Sequence, residues 1–320
     1  MKDMDNIFDD KKLKQSVRKA KAKSTIKIIC ISLVVFIAGS FINTAIGIKY
    51  SKKSYEAAEA YVSVSVPGGY ISESTDFIGF LGGNGNYKIT KNIGNKPVIL
   101  EDRVSFFGLI PQIAFFRGTG AGYHDAGQWP VSIWENGYRK MRFFHPNIEY
   151  VEYQNDLEEI DKIPDDKIIE MAISFDKPYK MTELFTIQNK LSPAKIYWVW
   201  LNEFTEEKMK HYENEVVNYD SKANGIKEDE AIGISIPNKD RLWVNPYDQY
   251  YDALVENLEK SYMPEHQKLY EEIMARGKTK MEDAEVLGVI VQGTKEELKQ
   301  LVENPMVKAT SIGVVVDPLY

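Results

Sequence analysis

The sequence predicts an α+β protein hung from a single transmembrane helix, and three observations predict it. Twenty-one residues from Ile28 to Ile48 carry no charge, and charged residues are dense on either side. The stretch that follows is rich in glycine and aromatics, with short apolar runs of strand length. From about residue 155 onward, strand-like runs alternate with helix signals.

The uncharged run, built as a helix, covers roughly 31 Å, the thickness of a bilayer hydrocarbon core. Between Lys11 and Lys27 stand eight bases and no acid: Lys11, Lys12, Lys14, Arg18, Lys19, Lys21, Lys23 and Lys27. Only Lys49, Lys52 and Lys53 follow closely on the other side. The positive-inside rule then places residues 1–27 in the cytoplasm and residues 49–320 outside the cell membrane. A cleaved signal peptide would have a shorter apolar core ending at a small-x-small site. Here only Ala45-x-Gly47 resembles one, after an uninterrupted run, so the segment reads as an uncleaved anchor. Gly39, Ser40, Asn43, Thr44 and Gly47 read as residues simply tolerated in a single span, the alternative being a packing face or a loosened second half.

The net charge of −7 divides unequally, with nine bases against four acids up to Lys27 and 31 against 43 beyond it. An acidic exterior argues against nucleic acid as a target. The basic residues of the tail, Lys11, Lys12, Arg18, Lys19, Lys21, Lys23 and Lys27 among them, suit the anionic lipid of an inner leaflet. Cys30 is the one cysteine, so no intrachain disulfide exists and the large exported part depends on its apolar core.

Beyond the span, a stalk helix is expected to about Tyr61, then a mainly β membrane-proximal domain over 49–154. Val62, Val64 and Val66 alternate with serines as in a strand. Pro67-Gly68-Gly69 breaks the run, and Gly82–Asn86 reads as a hairpin turn before Tyr87. Pro97–Leu100, Val104–Ile110, Ile113–Arg117 and Pro130–Trp134 are further short runs.

Over 155–320 the expected elements are a strand at Ile168–Phe175 broken behind by Pro178, and a short helix capped by Thr182. A central strand at Lys195–Phe204 carries Ile196, Trp198 and Trp200 on one face and Tyr197, Val199 and Leu201 on the other. Residues 205–246 read as a charged surface insertion. An amphipathic helix spans Tyr247–Ala275 with Pro264 breaking it. A strand at Val286–Gln292, a capping box at Thr294-Lys295-Glu296-Glu297 opening a helix to Val302, and a strand at Thr310–Val316 close the chain. This order fits a ferredoxin-like split β-α-β domain with a long inserted helix.

No enzyme constellation stands out. His124, His145, His211 and His266 are far apart, with no HExxH spacing and no cysteine partner, which predicts no metal and no cofactor. Gly118–Gly122 lacks the lysine of a phosphate loop. The acids between Asp156 and Asp166 lack the spacing of a calcium loop and read as a solvated linker. Tyr197, Trp198 and Trp200 read as core rather than a sugar platform.

Two segments carry a family resemblance. MAISFDKPYKMTEL, with Ser174, Phe175, Asp176, Lys177, Pro178 and Tyr179 at its centre, precedes the strand that bears Trp198 and Trp200. Together with the closing strand-helix-strand of Val286–Asp317, it resembles the carboxy-terminal sigma factor regulator domain of membrane-bound anti-sigma factors in Gram-positive bacteria. The tail Leu13–Val35 is similar to that family's amino-terminal region. The resemblance covers the beginning of the chain and roughly 155–317. It implies a non-enzymatic regulator whose cytoplasmic tail restrains an extracytoplasmic-function sigma factor and whose outer domain receives a cell-envelope signal. The chain departs from zinc anti-sigma factors, having no HxxxCxxC and a tail too short for that fold, so a second membrane protein has a place in completing the surface. Ile7, Phe8, Leu13 and Val17 are the apolar side chains of the tail available for a partner. The alternative is an exported envelope-binding or assembly protein whose tail only anchors it. An exported hydrolase using His124, Asp125 and His145 is a third reading.

Overall fold

A computed structural model describes residues 10–109, 125–126, 129–130, 134–135, 138–150, 152–218, 225–236 and 247–319. Its longest element is helix α1 (Asp10–Ser65), 56 residues without a break. At ~1.5 Å per residue it is roughly 84 Å long, far more than a bilayer needs. Phe36 and Phe41 are exposed like most of the apolar run, so up to Ile42 it is apolar all round with no protein around it among the described residues, as a membrane span requires.

From Asn43 onward α1 acquires neighbours. Strands β1 (Gly69–Ile78), β2 (Gly82–Ile93) and β3 (Lys96–Gly108) form an antiparallel meander laid along it. The strand expected from Val62 is instead the last turn of α1. Val62 and Val64 are fully buried, and Val66 N–H closes the turn onto Val62 O at 3.0 Å. Burial outweighs the modest helix cost of β-branched residues there. The break at Pro67-Gly68-Gly69 is as expected: Gly68 has φ 68°, and a Cβ on it would lie 2.5 Å from the Tyr197 ring.

The expected turn at Gly82–Asn86 lies inside β2, and the chain reverses at Gly79–Leu81, with Leu81 left-handed at φ 53°. The glycines serve close approach instead, since a Cβ on Gly83 would sit 2.0 Å from the Phe77 carbonyl oxygen. Pro97–Leu100 and Val104–Gly108 belong to one strand, β3, interrupted by a bulge at Leu100. Ile113–Arg117 falls outside the described residues. Pro130 and Trp134 lie in two-residue strands, β5 (Trp129–Pro130) paired with β4 (Asp125–Ala126), and β6 (Trp134–Glu135) paired with β7 (Tyr138–Arg139).

The second sheet has five strands in the order β12-β10-β13-β9-β14, all neighbours antiparallel. Its members are β9 (Ile168–Lys180), β10 (Lys195–Leu201), β12 (Gly233–Ser235), β13 (Glu285–Gly293) and β14 (Val307–Val316), while β8 (Arg142–Phe143) pairs with β11 (Ile226–Lys227) at the side. Helix α2 (Leu184–Leu191) joins β9 to β10 and α6 (Lys295–Lys299) joins β13 to β14, each crossover spanning one intervening strand. Helices α4 (Tyr247–Lys260) and α5 (Pro264–Arg276) cover the same face as α2 and α6. The other face is covered by Met141–Tyr150 and α3 (Glu206–Asn218). The result is the mixed α+β class expected from the sequence.

Several local expectations are corrected. Pro178 does not end β9, which runs to Lys180. Pairing with β13 jumps from Ser174 to Tyr179, leaving Pro178 in a bulge where no ladder bond is asked of it. Thr182 is not the cap; the Glu183 carboxylate accepts the Lys180 N–H at 3.0 Å, and Thr182 lies within the turn. On β10 a bulge at Tyr197 puts Tyr197, Trp198 and Trp200 on one face and Ile196, Val199 and Leu201 on the other. Both faces are buried, as expected. Residues 205–246 are not merely a surface insertion, because they supply edge strand β12 and the buried Glu228. The acids from Asp156 are not a free linker: Leu157 and Ile160 are buried, and Asp156 accepts the Ile312 N–H at 2.8 Å. Pro264 starts α5 at its first turn, and Thr294 forms the capping box, although α6 ends at Lys299 rather than Val302.

Candidate functional site at the seam between the membrane helix and the second sheet

Two clusters of polar side chains join α1 and its meander to the second sheet. In YKITKNI, Tyr87, Ile89, Lys91 and Ile93 alternate inward along β2, which carries the Lys91 ammonium into the interior at 1 % exposure. There Lys91 Nζ lies 2.8 Å from Glu170 Oε2 on β9 and 3.7 Å from Glu228 Oε1. Glu170 also accepts the Tyr197 hydroxyl and the Val314 N–H, and Glu228 accepts the Met141 N–H at 2.8 Å. Burial works against the Lys91 ammonium, but the two carboxylates outweigh it and hold its pKa above the ordinary value. Burial raises the Glu228 pKa despite the lysine, with the Glu170 charge adding to the rise. Beside this cluster Gln292 accepts the Gly94 N–H and donates to Asn92 O, both at 2.9 Å, pinning the end of β2 to β13.

The second cluster holds the end of α1. The Arg103 guanidinium of β3 sits 4.0 Å over the Tyr61 ring and donates to the Tyr61 and Tyr262 hydroxyls. Tyr61 stacks on Tyr262 and on His266, with centroids 5.2 and 5.9 Å apart. His266 Nε2 is 3.0 Å from Ser65 Oγ and its Nδ1 2.8 Å from Ser261 Oγ. Burial drives the His266 pKa down to about 4, so the ring is neutral at pH 7. A cavity of about 300 Å³ opens beside it, lined by Ser65, Lys208, Glu230 and Glu265 among others. Chemically the seam is a clamp: hydrogen bonds hold the last turns of α1 to β3 and α5, and the buried Lys91 ion pairs hold β2 to β9 and to Glu228.

The residues singled out from the sequence lie elsewhere. Ile7 and Phe8 are outside the described residues. Leu13 and Val17 are exposed one helical turn apart on α1. Lys11 and Lys12 fall in the first turn of α1, and Arg18, Lys19, Lys21, Lys23 and Lys27 are exposed around it. The SFDKPY segment is architectural. Ser174 Oγ accepts the Phe144 N–H at 2.9 Å, and Phe175 is buried edge-to-face on Tyr179. Asp176 accepts the Tyr179 hydroxyl, Lys177 lies 5.3 Å over that ring, and Pro178 occupies the bulge. Trp198 and Trp200 are buried against Phe143. His145 packs against Trp200 and Phe204, and His124 lies outside the described residues. Among the described residues no group of three or more His, Cys, Asp or Glu is placed to hold a metal.

Sequence reasoning passed over Lys91, Glu170, Glu228, Tyr61, Arg103 and His266. A signal existed for two of them: Lys91 falls on the inward positions of an alternating strand, and Glu170 interrupts an otherwise apolar one.

Residues 14–98 match the family model for the sigma factor regulator N-terminal domain, and residues 160–314 match that for the sigma factor regulator C-terminal domain. The chain belongs to the sigma factor regulator family. No curated protein and no solved structure matches it. As a member of this regulatory family, with one helix among the described residues long and apolar enough to cross a membrane, it fits a single-pass anti-sigma factor that interacts with a sigma factor. The N-terminal match reaches to Val98 and so takes in most of the meander, further than the resemblance read from the sequence. Lys91 lies in one matched domain, Glu170 and His266 in the other, so the clamp joins the two sigma factor regulator domains.

Proposed function

We propose that this sigma factor regulator restrains an extracytoplasmic-function sigma factor with a cytoplasmic tail and reads the state of the cell envelope through an outer domain. In this reading residues 1–27 are the tail, 28–48 the span, 49–154 a membrane-proximal domain and 155–320 the carboxy-terminal regulator domain. The observation that carries it is the continuity of α1. One helix leads from the basic segment, through the apolar run, to a terminus whose Val62 and Val64 are buried among the sheets. A change in the outer domain therefore reaches the tail without a flexible joint between them. The eight bases before the span support a cytoplasmic tail lying against anionic lipid. Leu13 and Val17 present a small apolar surface, to which Ile7 and Phe8 add, and a second membrane protein would complete it.

The test is a reporter assay of extracytoplasmic-function regulons in cells lacking the chain, then restored with and without residues 1–24. Induction on deletion, reversed only by the tail-bearing form, is the expected result. Unchanged transcription of every such regulon would return the protein to the reading of an anchored envelope-binding or assembly protein.

A further inference from the structure

The turn of the meander lies beside the apolar run of α1, not beyond it. Asn43 donates to Gly79 O at 2.9 Å and accepts the Leu81 N–H at 2.6 Å, and Ile78 rests on Gly47, where a Cβ would come within 2.3 Å of it. If a hydrocarbon core of ~30 Å begins at Ile28 it ends near Ile48, so Asn43 is about 7 Å inside it.

We propose that this turn is inserted in the membrane leaflet on the domain's side, packed along its own transmembrane helix. The proposal rests on the span and is independent of which sigma factor, if any, the tail binds. The meander's side chains grade as such a placement requires. On the face turned from α1, the row nearest the turn is Phe77, Asn84 and Phe106; the next is Thr75, Asn86 and Val104; the third is Glu73, Lys88 and Asp102. Two rows span about 13 Å, so the face passes from aromatic to fully charged over the depth of an interface. Phe80 is 77 % exposed and Phe77 62 %, and Ile78 and Leu109 are exposed beside them. Among the described residues no protein group covers Phe77, Phe80 or Leu109.

The backbone of the turn is also prepared for a medium without water. Gly79 N–H bonds to Gly82 O at 2.7 Å and Leu109 N–H to Leu81 O at 2.8 Å, while Asn43 takes the Gly79 carbonyl and the Leu81 N–H, so both backbone groups of Gly79 and both of Leu81 are paired. Unpaired, each would cost several kcal/mol in lipid. On the helix the first polar contact past this level is Ser51 with Asp76, following Lys49. Charge thus begins at the same height on both elements. A lipid occupant is favoured over a second protein because the patch is continuous with a segment that already requires lipid.

The test uses the full chain with Cys30→Ala, carrying one nitroxide at Phe80→Cys, Leu109→Cys or Ile99→Cys, reconstituted in phosphatidylcholine nanodiscs. All three sites are exposed, so the label displaces no packing. Spin relaxation by oxygen, which partitions into lipid, is compared with that by a water-soluble nickel chelate. At Phe80 and Leu109 the oxygen-to-nickel ratio is expected to be several-fold above that at Ile99, which sits far up the same sheet. A ratio at Phe80 equal to that at Ile99 would place the turn in water and overturn the proposal. Low access to both reagents would show a protein partner there, and overturn it equally.

Discussion

Lys91 on the second strand of the meander and Glu170 in the second sheet meet at 2.8 Å with both side chains essentially excluded from solvent. Their pairing spans the two halves of the molecule, and it is balanced on an excess of negative charge because Glu228 also faces the lysine. A buried pair of this kind contributes little net stability compared with apolar residues of the same shape. Removing one member is a different matter, since it strands an uncompensated charge.

Lys91→Met is therefore expected to destabilise the full chain by about 3–5 kcal/mol. The loss includes mutual repulsion of Glu170 and Glu228, which the lysine no longer separates. Adding Glu170→Gln and Glu228→Gln to Lys91→Met should recover a large part of it. Urea unfolding of the detergent-solubilised chain, followed by tryptophan fluorescence, reads both. A single variant as stable as the parent would mean that water reaches this cluster.

The Arg103–Tyr61 contact makes a narrower prediction. Arg103→Lys keeps the charge but loses the planar stacking and the paired donors to Tyr61 and Tyr262. It should cost about 1–2 kcal/mol from the cation-π and hydrogen-bond contributions together. The loss should be concentrated at the end of α1, so amide exchange there should quicken more than in β13 or β9. Uniform change across the sheets would contradict the idea of a local clamp.

His266 sets a pH dependence whose sign follows from burial. Its folded pKa is depressed from 6.5 to about 4, so between those values the unfolded chain binds the extra proton. Stability then falls as pH falls through that window, by up to about 3 kcal/mol from this group once pH reaches 4. His266→Gln retains an amide donor and acceptor for Ser65 and Ser261 but does not titrate. The stability difference between pH 7 and pH 4 should shrink by that amount in the variant, measured by thermal unfolding at fixed ionic strength. An unchanged difference would assign the acid sensitivity to carboxylates elsewhere.

The elements legible in the sequence were those written in local chemistry. The uncharged run, the Pro67-Gly68 break, the Pro264 start of α5 and the Thr294 capping box each depend on a few adjacent residues. What was not legible depended on partners distant in the chain. Val62 and Val64 alternate like a strand, but the sheets they dock against keep them helical. The Tyr197 bulge exchanges the sides of Ile196 and Tyr197 in a strand whose burial was read correctly. Gly83 and Gly85 look like a turn until Phe77 and Phe107 are seen to need the space at the first, and Tyr87 and Asp76 at the second. The Lys91–Glu170–Glu228 cluster could be suspected only one residue at a time, because neither alternation nor spacing brings β2, β9 and the loop after β11 together.

The tail offers the sharpest test of the proposed function. Leu13 and Val17 lie four residues apart on α1, on one helical face, and both are exposed at 51 % and 46 %. Nothing in the fold accounts for keeping them apolar, and lipid is expected to begin only at Ile28. Leu13→Asp with Val17→Asp leaves the span and the clamp untouched, and so should leave membrane levels of the protein as they were. If this face holds the sigma factor, transcription of its regulon should rise to the level seen on deleting the chain. Gln15→Asp, on the opposite face of the same turn, should leave repression intact, which separates loss of an apolar contact from added charge near the bilayer. Ile7→Asp with Phe8→Asp extends the test toward the amino terminus. Full repression by both double variants would remove the tail from sigma factor capture and shift the contact to the second membrane protein.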